Sequence, residues 1–223
     1  IPLQSAAFYN HNALWWASSN SSLSRLEVIK GAGTSLYGSG AVAATVNVIS
    51  APVSANKNEL TATLSENNYQ KYNASFTNQF NDNNGVRISG AYLKNDGWRD
   101  HSAIEKSEVN VLHEVDLKGG HSLKTSIVAS TLEQQMLSSL NDEQFAEDPT
   151  QSGLPAEVEA IDPKRKTDYL RVSSEYQYQY DALYLSVIPY YRYRSNNYTA
   201  TWQPNMPSVE SNVNTIGALA LVN

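Results

Sequence analysis

Leu26–Ser50 reads LEVIKGAGTSLYGSGAVAATVNVIS, with four glycines in the ten positions from Gly31 to Gly40 and an alternating run of β-branched residues behind them. Glycine at this density serves either a bound phosphate or a close approach of one backbone to another. Spacing rejects the phosphate. A dinucleotide fingerprint G-x-G-x-x-G begun at Gly31 needs glycine where Leu36 stands, and a Walker loop begun at Gly33 reaches Gly38 but meets Ser39 where it needs lysine. The packing alternative fits better: Leu26-Glu27-Val28-Ile29 and Thr45-Val46-Asn47-Val48-Ile49 are strand-like, and Thr34-Ser35-Leu36-Tyr37 lies in the link between them. The stretch predicts a compact two-strand unit.

Beyond Pro52 the chain is patterned with period two, as on a strand whose faces meet different surroundings. In YLRVSSEYQY, Leu170, Val172, Ser174, Tyr176 and Tyr178 share one face, with Arg171, Ser173, Glu175 and Gln177 on the other. Val109, Val111, Val115 and Leu117 likewise oppose Glu108, Asn110, Glu114 and Asp116, with Leu112 and His113 out of phase. Leu183, Leu185, Val187, Tyr191 and Tyr193 oppose Ser186, Arg192 and Arg194. The connectors alternate too. NDNNG, LKGGHS and the Tyr180-Asp181 region are short; KNDGWRDHSAIEKS, the polar stretch from about Glu133 to Arg165, and SNNYTATWQPNMPSVESNV are long. An up-and-down sheet whose two rims face different compartments has this form, as membrane barrels do. The step from Leu183 to Tyr193 covers about 33 Å, or about 24 Å of depth at a 45° tilt, against a lipid-facing band of roughly 25 Å. Tyr176, Tyr178 and Tyr184 are then expected toward one interface, Tyr191 and Tyr193 toward the other.

Composition narrows the classes. Fourteen Tyr and four Trp against four Phe describe a chain whose large apolar groups carry a polar tip, suited to wet–dry boundaries. A formal charge of −6 opposes a nucleic-acid partner. With no cysteine, there are no disulfides, thiolate zinc sites or thiol catalysis. No run of 18 apolar residues offers a membrane helix, which leaves a strand-built membrane crossing open. The chain opens on Ile1-Pro2-Leu3 and closes inside the alternating TIGALALVN, so it is expected to be an internal piece of a longer protein.

The stretch from Ser24 to Ser50 resembles the end of the plug domain of TonB-dependent outer-membrane receptors, on Arg25, Glu27, Val28, Lys30, Gly31, Leu36, Tyr37, Gly38, Ala41, Asn47 and Ile49. It departs from the family pattern at Ala43-Ala44, where two glycines are usual. Ile1–Trp16 resembles the preceding plug segment more loosely. The resemblance implies residues 1–53 as the C-terminal part of a plug and 54–223 as the first part, about eight strands of 22, of an antiparallel up-and-down transmembrane β-barrel. It implies a Gram-negative outer membrane and uptake of a scarce ligand, most often a ferric siderophore. It also implies TonB as energy-coupling partner, through an upstream box that pairs by strand addition.

In the plug, His11, Trp15 and Trp16, and in a long loop Trp98, Arg99, Asp100 and His101, combine aromatic surface with charge and are the candidate ligand contacts. Plug arginines of the family meet barrel-wall carboxylates, and Arg25 is the candidate here. It has an alternative in simple solvation of the plug surface. The four histidines at 11, 101, 113 and 121 lack metal-ligand spacing, and the acidic run Asp142, Glu143, Glu147, Asp148 has no partner base or nucleophile. No cofactor, metal or catalytic residue is therefore expected. The rivals are a passive porin or surface adhesin, and a soluble carbohydrate-binding β-domain.

Overall fold

The computed structural model describes residues 23–31, 44–53, 58–199 and 209–223. Two sheets account for all its strands. The first is an antiparallel pair, β1 (Leu23–Lys30) with β2 (Ala44–Ser50), in which Glu27 stands opposite Asn47 and Lys30 opposite Ala44. This is the two-strand unit expected around the glycine segment. Gly31, which follows β1, sits at φ +103°, a conformation that a Cβ would strain. Leu36, Tyr37, Gly38 and Ala41 fall outside the described residues.

The second sheet is a meander of eight antiparallel strands in sequential order: β3 (Glu59–Ser65), β4 (Tyr69–Asn81), β5 (Asn84–Asn95), β6 (Ile104–Lys118), β7 (His121–Gln135), β8 (Lys164–Tyr180), β9 (Leu183–Tyr198) and β10 (Val209–Val222). Each strand pairs only with its sequence neighbours, so β3 and β10 are open edges and the sheet does not close on itself. Between β7 and β8 lie two short helices, α1 (Asp142–Glu147) and α2 (Ala156–Glu159). No helix among the described residues is long and apolar enough to cross a membrane.

Register arranges the outward side chains in continuous rows. Phe76 pairs with Ile88, Ile88 with Val111, Val111 with Ile127, Ile127 with Val172, Val172 with Tyr191 and Tyr191 with Ile216. Seven strands thus contribute one apolar residue each to a single ridge. This ridge is exposed: Phe76, Ile88, Ile127, Tyr191 and Ile216 are among the accessible large hydrophobics, Ile216 at 85%. The opposite face is mostly polar and withdrawn from solvent: Ser75, Thr77, Arg87, Ser89, Glu108, Ser130, Thr167, Ser173, Ser186 and Arg194 are buried, around a small apolar cluster of Val128, Leu132 and Tyr169 with Ile104 packed against it.

A soluble sheet has the reverse order, apolar side chains covered and polar ones wet. Here the polar side chains crowd one another because the twisted sheet rolls toward them, as strands of a barrel wall must. Leu112 and His113 occupy the faces that sequence phase assigns them. Leu112 is buried on the polar side, and His113 on the outer side meets Asn84 Oδ1 at 2.8 Å.

Three details differ from expectation. Tyr184 pairs with Gln179 on the polar face, not with Tyr176 and Tyr178, because even-numbered residues of β9 point inward. The strands also run further into the polar rim than periodicity indicates. Ile104–Ser107, Ser195–Tyr198 and Val209–Val213 read as loop but are paired strand, held by cross-strand partners such as Ser195 with Asn212 rather than by apolar alternation. Finally, the first rim connection, Glu66-Asn67-Asn68, is a tight turn that breaks the run of long loops on that side, with Asn67 at φ 57° and Asn68 at φ 54°.

The opposite rim carries the short turns. Gly120 adopts φ +83°, and a Cβ there would collide with the carbonyl oxygen of Gln179, whose N–H donates to the Gly120 carbonyl at 2.8 Å. Its neighbour Gly119 is equally left-handed, but the nearest atom to a Cβ is 3.5 Å away. Gly120→Ala is therefore expected to destabilise the sheet by about 1–3 kcal/mol and Gly119→Ala by about 1 kcal/mol or less, read from equilibrium unfolding midpoints. Equal effects would contradict the assigned contact.

Candidate functional site

Chemistry-bearing side chains gather at three places: the β1–β2 hairpin, the polar face near the short-turn rim, and the long-loop rim. In the hairpin, Arg25 Nε donates to Glu27 Oε1 at 2.7 Å and Asn47 Nδ2 donates to Glu27 Oε2 at 3.2 Å. Three residues of the glycine-segment pattern thus form one cross-strand unit. Period two puts Arg25 and Glu27 on one face of β1, and register places Asn47 opposite Glu27. The Arg25 guanidinium, then the Asn47 amide, hold the Glu27 carboxyl below its ordinary value. Arg25 is thereby paired inside its own hairpin, and Lys30 is exposed.

The chain leaving β2 docks on the polar face at the short-turn rim. Val53 is buried, its N–H donates to Glu114 Oε2 at 2.8 Å, and Arg87 reaches the Pro52 carbonyl at 3.4 Å. Glu114 Oε1 also takes Lys124 Nζ at 2.9 Å. Beside them Glu175 accepts from Gln177 Nε2 and Ser186 Oγ, both at 2.8 Å. Val53, Glu114, Lys124, Glu175 and Gln177 line a cavity of about 370 Å³ with Asp116. Glu114 and Glu175 were legible as inward-facing carboxylates. The tie of Glu114 to Val53 was not, because it joins residues 61 positions apart.

At the long-loop rim, Trp98, Arg99, Asp100 and His101 come together on the β5–β6 connection but point to different tasks. Trp98 is 60% exposed, and Asp100 is exposed as well. Arg99 donates from Nε to the Gln151 carbonyl at 3.0 Å and from one terminal nitrogen to the carbonyls of Ser138 and Gln151, both at 2.9 Å. Asp100 N–H adds a bond to the Thr150 carbonyl at 2.7 Å. His101 Nε2 lies 2.9 Å from the Pro163 carbonyl and 3.6 Å from Asp162 Oδ1.

The 28-residue connection between β7 and β8 is consequently fastened to its neighbour along its length. Within it, Asn141 and Gln144 form a capping box at the start of α1, with bonds of 2.8 and 3.0 Å. The acidic residues of this loop lie on its surface, where Asp148 binds the N–H and hydroxyl of Thr150. Lys164 and Lys166 reach Glu133 at 3.7 and 2.8 Å, and Lys164 also pairs with Asp162. His11, Trp15 and Trp16 fall outside the described residues. No group of three metal-ligating side chains occurs among the described ones.

No protein-family model and no curated protein matches this chain. Solved structures do. The ferric citrate transporter FecA in its unliganded form superposes with TM-score 0.68 at 17% identity, over 81% of this chain and 28% of that one. The ferric-catecholate import receptor Fiu of E. coli K12 in its open form gives TM-score 0.64 at 14% identity, over 90% and 35%. The ferripyoverdine receptor of the outer membrane of Pseudomonas aeruginosa, bound to ferripyoverdine, gives 0.62 at 14%, over 94% and 30%. The chain spans about a third or less of the length of these proteins. At such identities the likeness shows the fold alone: an antiparallel eight-stranded meander that matches part of each of these receptor structures.

Arg99→Ala removes the three side-chain bonds that fasten the β7–β8 loop, and proteolytic cleavage within residues 136–163 is expected to rise several-fold, whereas Asp100→Ala, which keeps its backbone bond, leaves cleavage unchanged. The Lys164 ammonium, followed by His101, holds the Asp162 carboxyl below its ordinary value of 3.8. A carboxyl depressed in the folded state stabilises above its unfolded pKa, and that contribution is lost as pH falls through the folded one. Loop protection should therefore persist at pH 5 and fade only below about pH 4. Asp162→Asn should abolish that acid-sensitive step in the cleavage profile.

Proposed function

We propose that the chain is part of a TonB-dependent outer-membrane receptor, with residues 1–53 the end of the plug and 54–223 the first eight strands of the transmembrane barrel. The observation that carries this reading is the inverted sheet: an exposed apolar ridge across seven strands, backed by a buried polar face. In water such a ridge is a liability; in a bilayer it is the wall, and closure by further strands satisfies the open edges of β3 and β10. The short-turn rim then faces the periplasm and the long-loop rim the exterior.

The mechanism follows from the dimensions. A lumen wide enough for a metal chelate leaks unless stoppered, so a plug must fill it until ligand binding outside and a pull from inside coincide. The cargo on this reading is a scarce chelate, a ferric siderophore in keeping with the ferric chelates handled by the structurally similar receptors, and the pulling partner is TonB. Trp98 and Asp100, exposed on the outer rim, are the ligand-contact candidates with the freest side chains. His11, Trp15 and Trp16 are the candidates contributed by the plug segment. Arg99 and His101 serve the ligand indirectly, by holding the loops that frame it. The function needs no catalytic step.

Ile127 and Ser126 are adjacent on β7 and point to opposite faces. In the intact receptor folded into lipid vesicles, Ile127→Lys is expected to cost about 2–4 kcal/mol, and Ser126→Lys, facing the aqueous lumen, about 1 kcal/mol or less. Equal tolerance of the two, or a monomer that stays dissolved without detergent, would refute the bilayer assignment.

A further inference from the structure

The chain leaving β2 fits a socket on the inward face of β5 and β6. Gly85 and Glu114 form one cross-strand pair, and Arg87 is the next inward residue of β5. A Cβ on Gly85 would lie 2.6 Å from Val53 Cγ1, so the missing side chain is the notch that the valine occupies, leaving Val53 3% exposed. Gly85 is not among the glycines of positive φ; what its glycine supplies is space. Around the notch, the Val53 N–H donates to Glu114 Oε2 at 2.8 Å and Arg87 donates to the Pro52 carbonyl at 3.4 Å. Lys124 Nζ, on β7, holds the other oxygen of Glu114 at 2.9 Å. Apolar packing, a charge-assisted bond and a guanidinium contact thus converge on Pro52 and Val53.

Six positions later the same chain enters β3, the shortest strand of the large sheet. Its seven residues are all exposed, and it pairs only with β4. β5 and β6, with 12 and 15 residues, are paired along both sides. Tension arriving at Glu59 would break the β3 ladder one bond at a time from its end. Tension arriving at the socket is divided between two interior strands, which open less readily.

We propose that Gly85, Arg87 and Glu114 are positioning residues that clamp the chain at Pro52-Val53, so that a pull on the plug ends at the wall of β5 and β6 and does not reach β3. The inference rests on the receptor reading, in which residues 1–53 are pulled and β3 belongs to the barrel wall. On that reading the clamp sets how far the plug can be drawn out while the wall stays intact.

The test holds the intact receptor in a supported phospholipid bilayer and pulls its N-terminus at constant force, which needs no ligand. A dwell is expected once the plug has extended to Pro52. A step of about 20 Å then follows as the six residues from Val53 to Asn58 are released, and only afterwards is β3 lost. Glu114→Ala, which removes the acceptor of the Val53 N–H, should shorten the dwell roughly ten-fold. Gly85→Ala should shorten it as well, by pushing Val53 out of its notch. Adding Val53→Ala to Gly85→Ala makes room for the new Cβ and should regain part of the dwell; the Asn78 carbonyl, 3.0 Å from that Cβ, limits the recovery. Rescue by a truncating change separates a clamp from a general loss of sheet stability.

Loss of β3 without a preceding dwell in the wild type would overturn the clamp. So would an unchanged dwell in Glu114→Ala, or no recovery on adding Val53→Ala to Gly85→Ala. Should neither the Gly85 nor the Glu114 variant insert, Val53→Gly, a change outside every strand, decides: a shortened dwell supports the clamp and an unchanged one refutes it. An intact protein that does not insert into the bilayer, or that holds no plug to extend, would instead remove the receptor reading, and this inference with it.

Discussion

Everything in this molecule depends on the register of its antiparallel ladder. Once each strand is locked to its neighbour, period two forces alternate residues to opposite faces, and a slip of one residue in any strand would exchange them. The ridge from Phe76 to Ile216 exists because seven strands are in phase. The same pairing collects Arg87, Leu112, Ser126 and Ser173 into the inward row beside it. Backbone hydrogen bonding supplies a structure whose polar groups are satisfied between strands, which is what permits the side chains to be sorted in the inverted sense.

Glycine and the left-handed turn residues keep that register at the rims. At the short-turn end, Gly119-Gly120 closes β6 onto β7, and Asp181, at φ 51°, turns β8 into β9. At the other rim the strand ends are mostly polar, with Ile104 packed on the Val128–Leu132–Tyr169 cluster, and register is reinforced by the connections. There the work passes to side-chain-to-backbone bonds: Arg99 on the carbonyls of Ser138 and Gln151, and His101 at the Pro163 carbonyl. A long loop fastened this way presents a few side chains, Trp98 and Asp100 among them, from a defined platform.

Interior charge is distributed unevenly along the strands. Carboxylates Glu114 and Glu175 sit near the short-turn rim with their partners, where Val53 also arrives, while the arginines of β8 and β9 lie further along the wall. Under the proposed reading, the link between plug and barrel is anchored on the periplasmic side.

Much of the wall was legible from residues alone. The alternation in Leu170–Tyr178 and Leu183–Tyr193 assigns faces correctly, down to the out-of-phase Leu112 and His113, because β-strand geometry leaves a side chain only two directions. The glycine segment also revealed its hairpin, since φ +103° at Gly31 is a local demand. Strand ends in the polar rim were not legible: Ser195–Tyr198 and Val209–Val213 carry no alternation, and only pairing with a neighbour makes them strands. The Val53–Glu114 bond, the loop-fastening role of Arg99 and the meeting of Arg171 with Arg192 are likewise products of tertiary structure. A sequence dictates which way each side chain faces through short-range sterics. Which residues become neighbours across strands depends on register and turn length summed over the whole sheet, and no local pattern contains that sum.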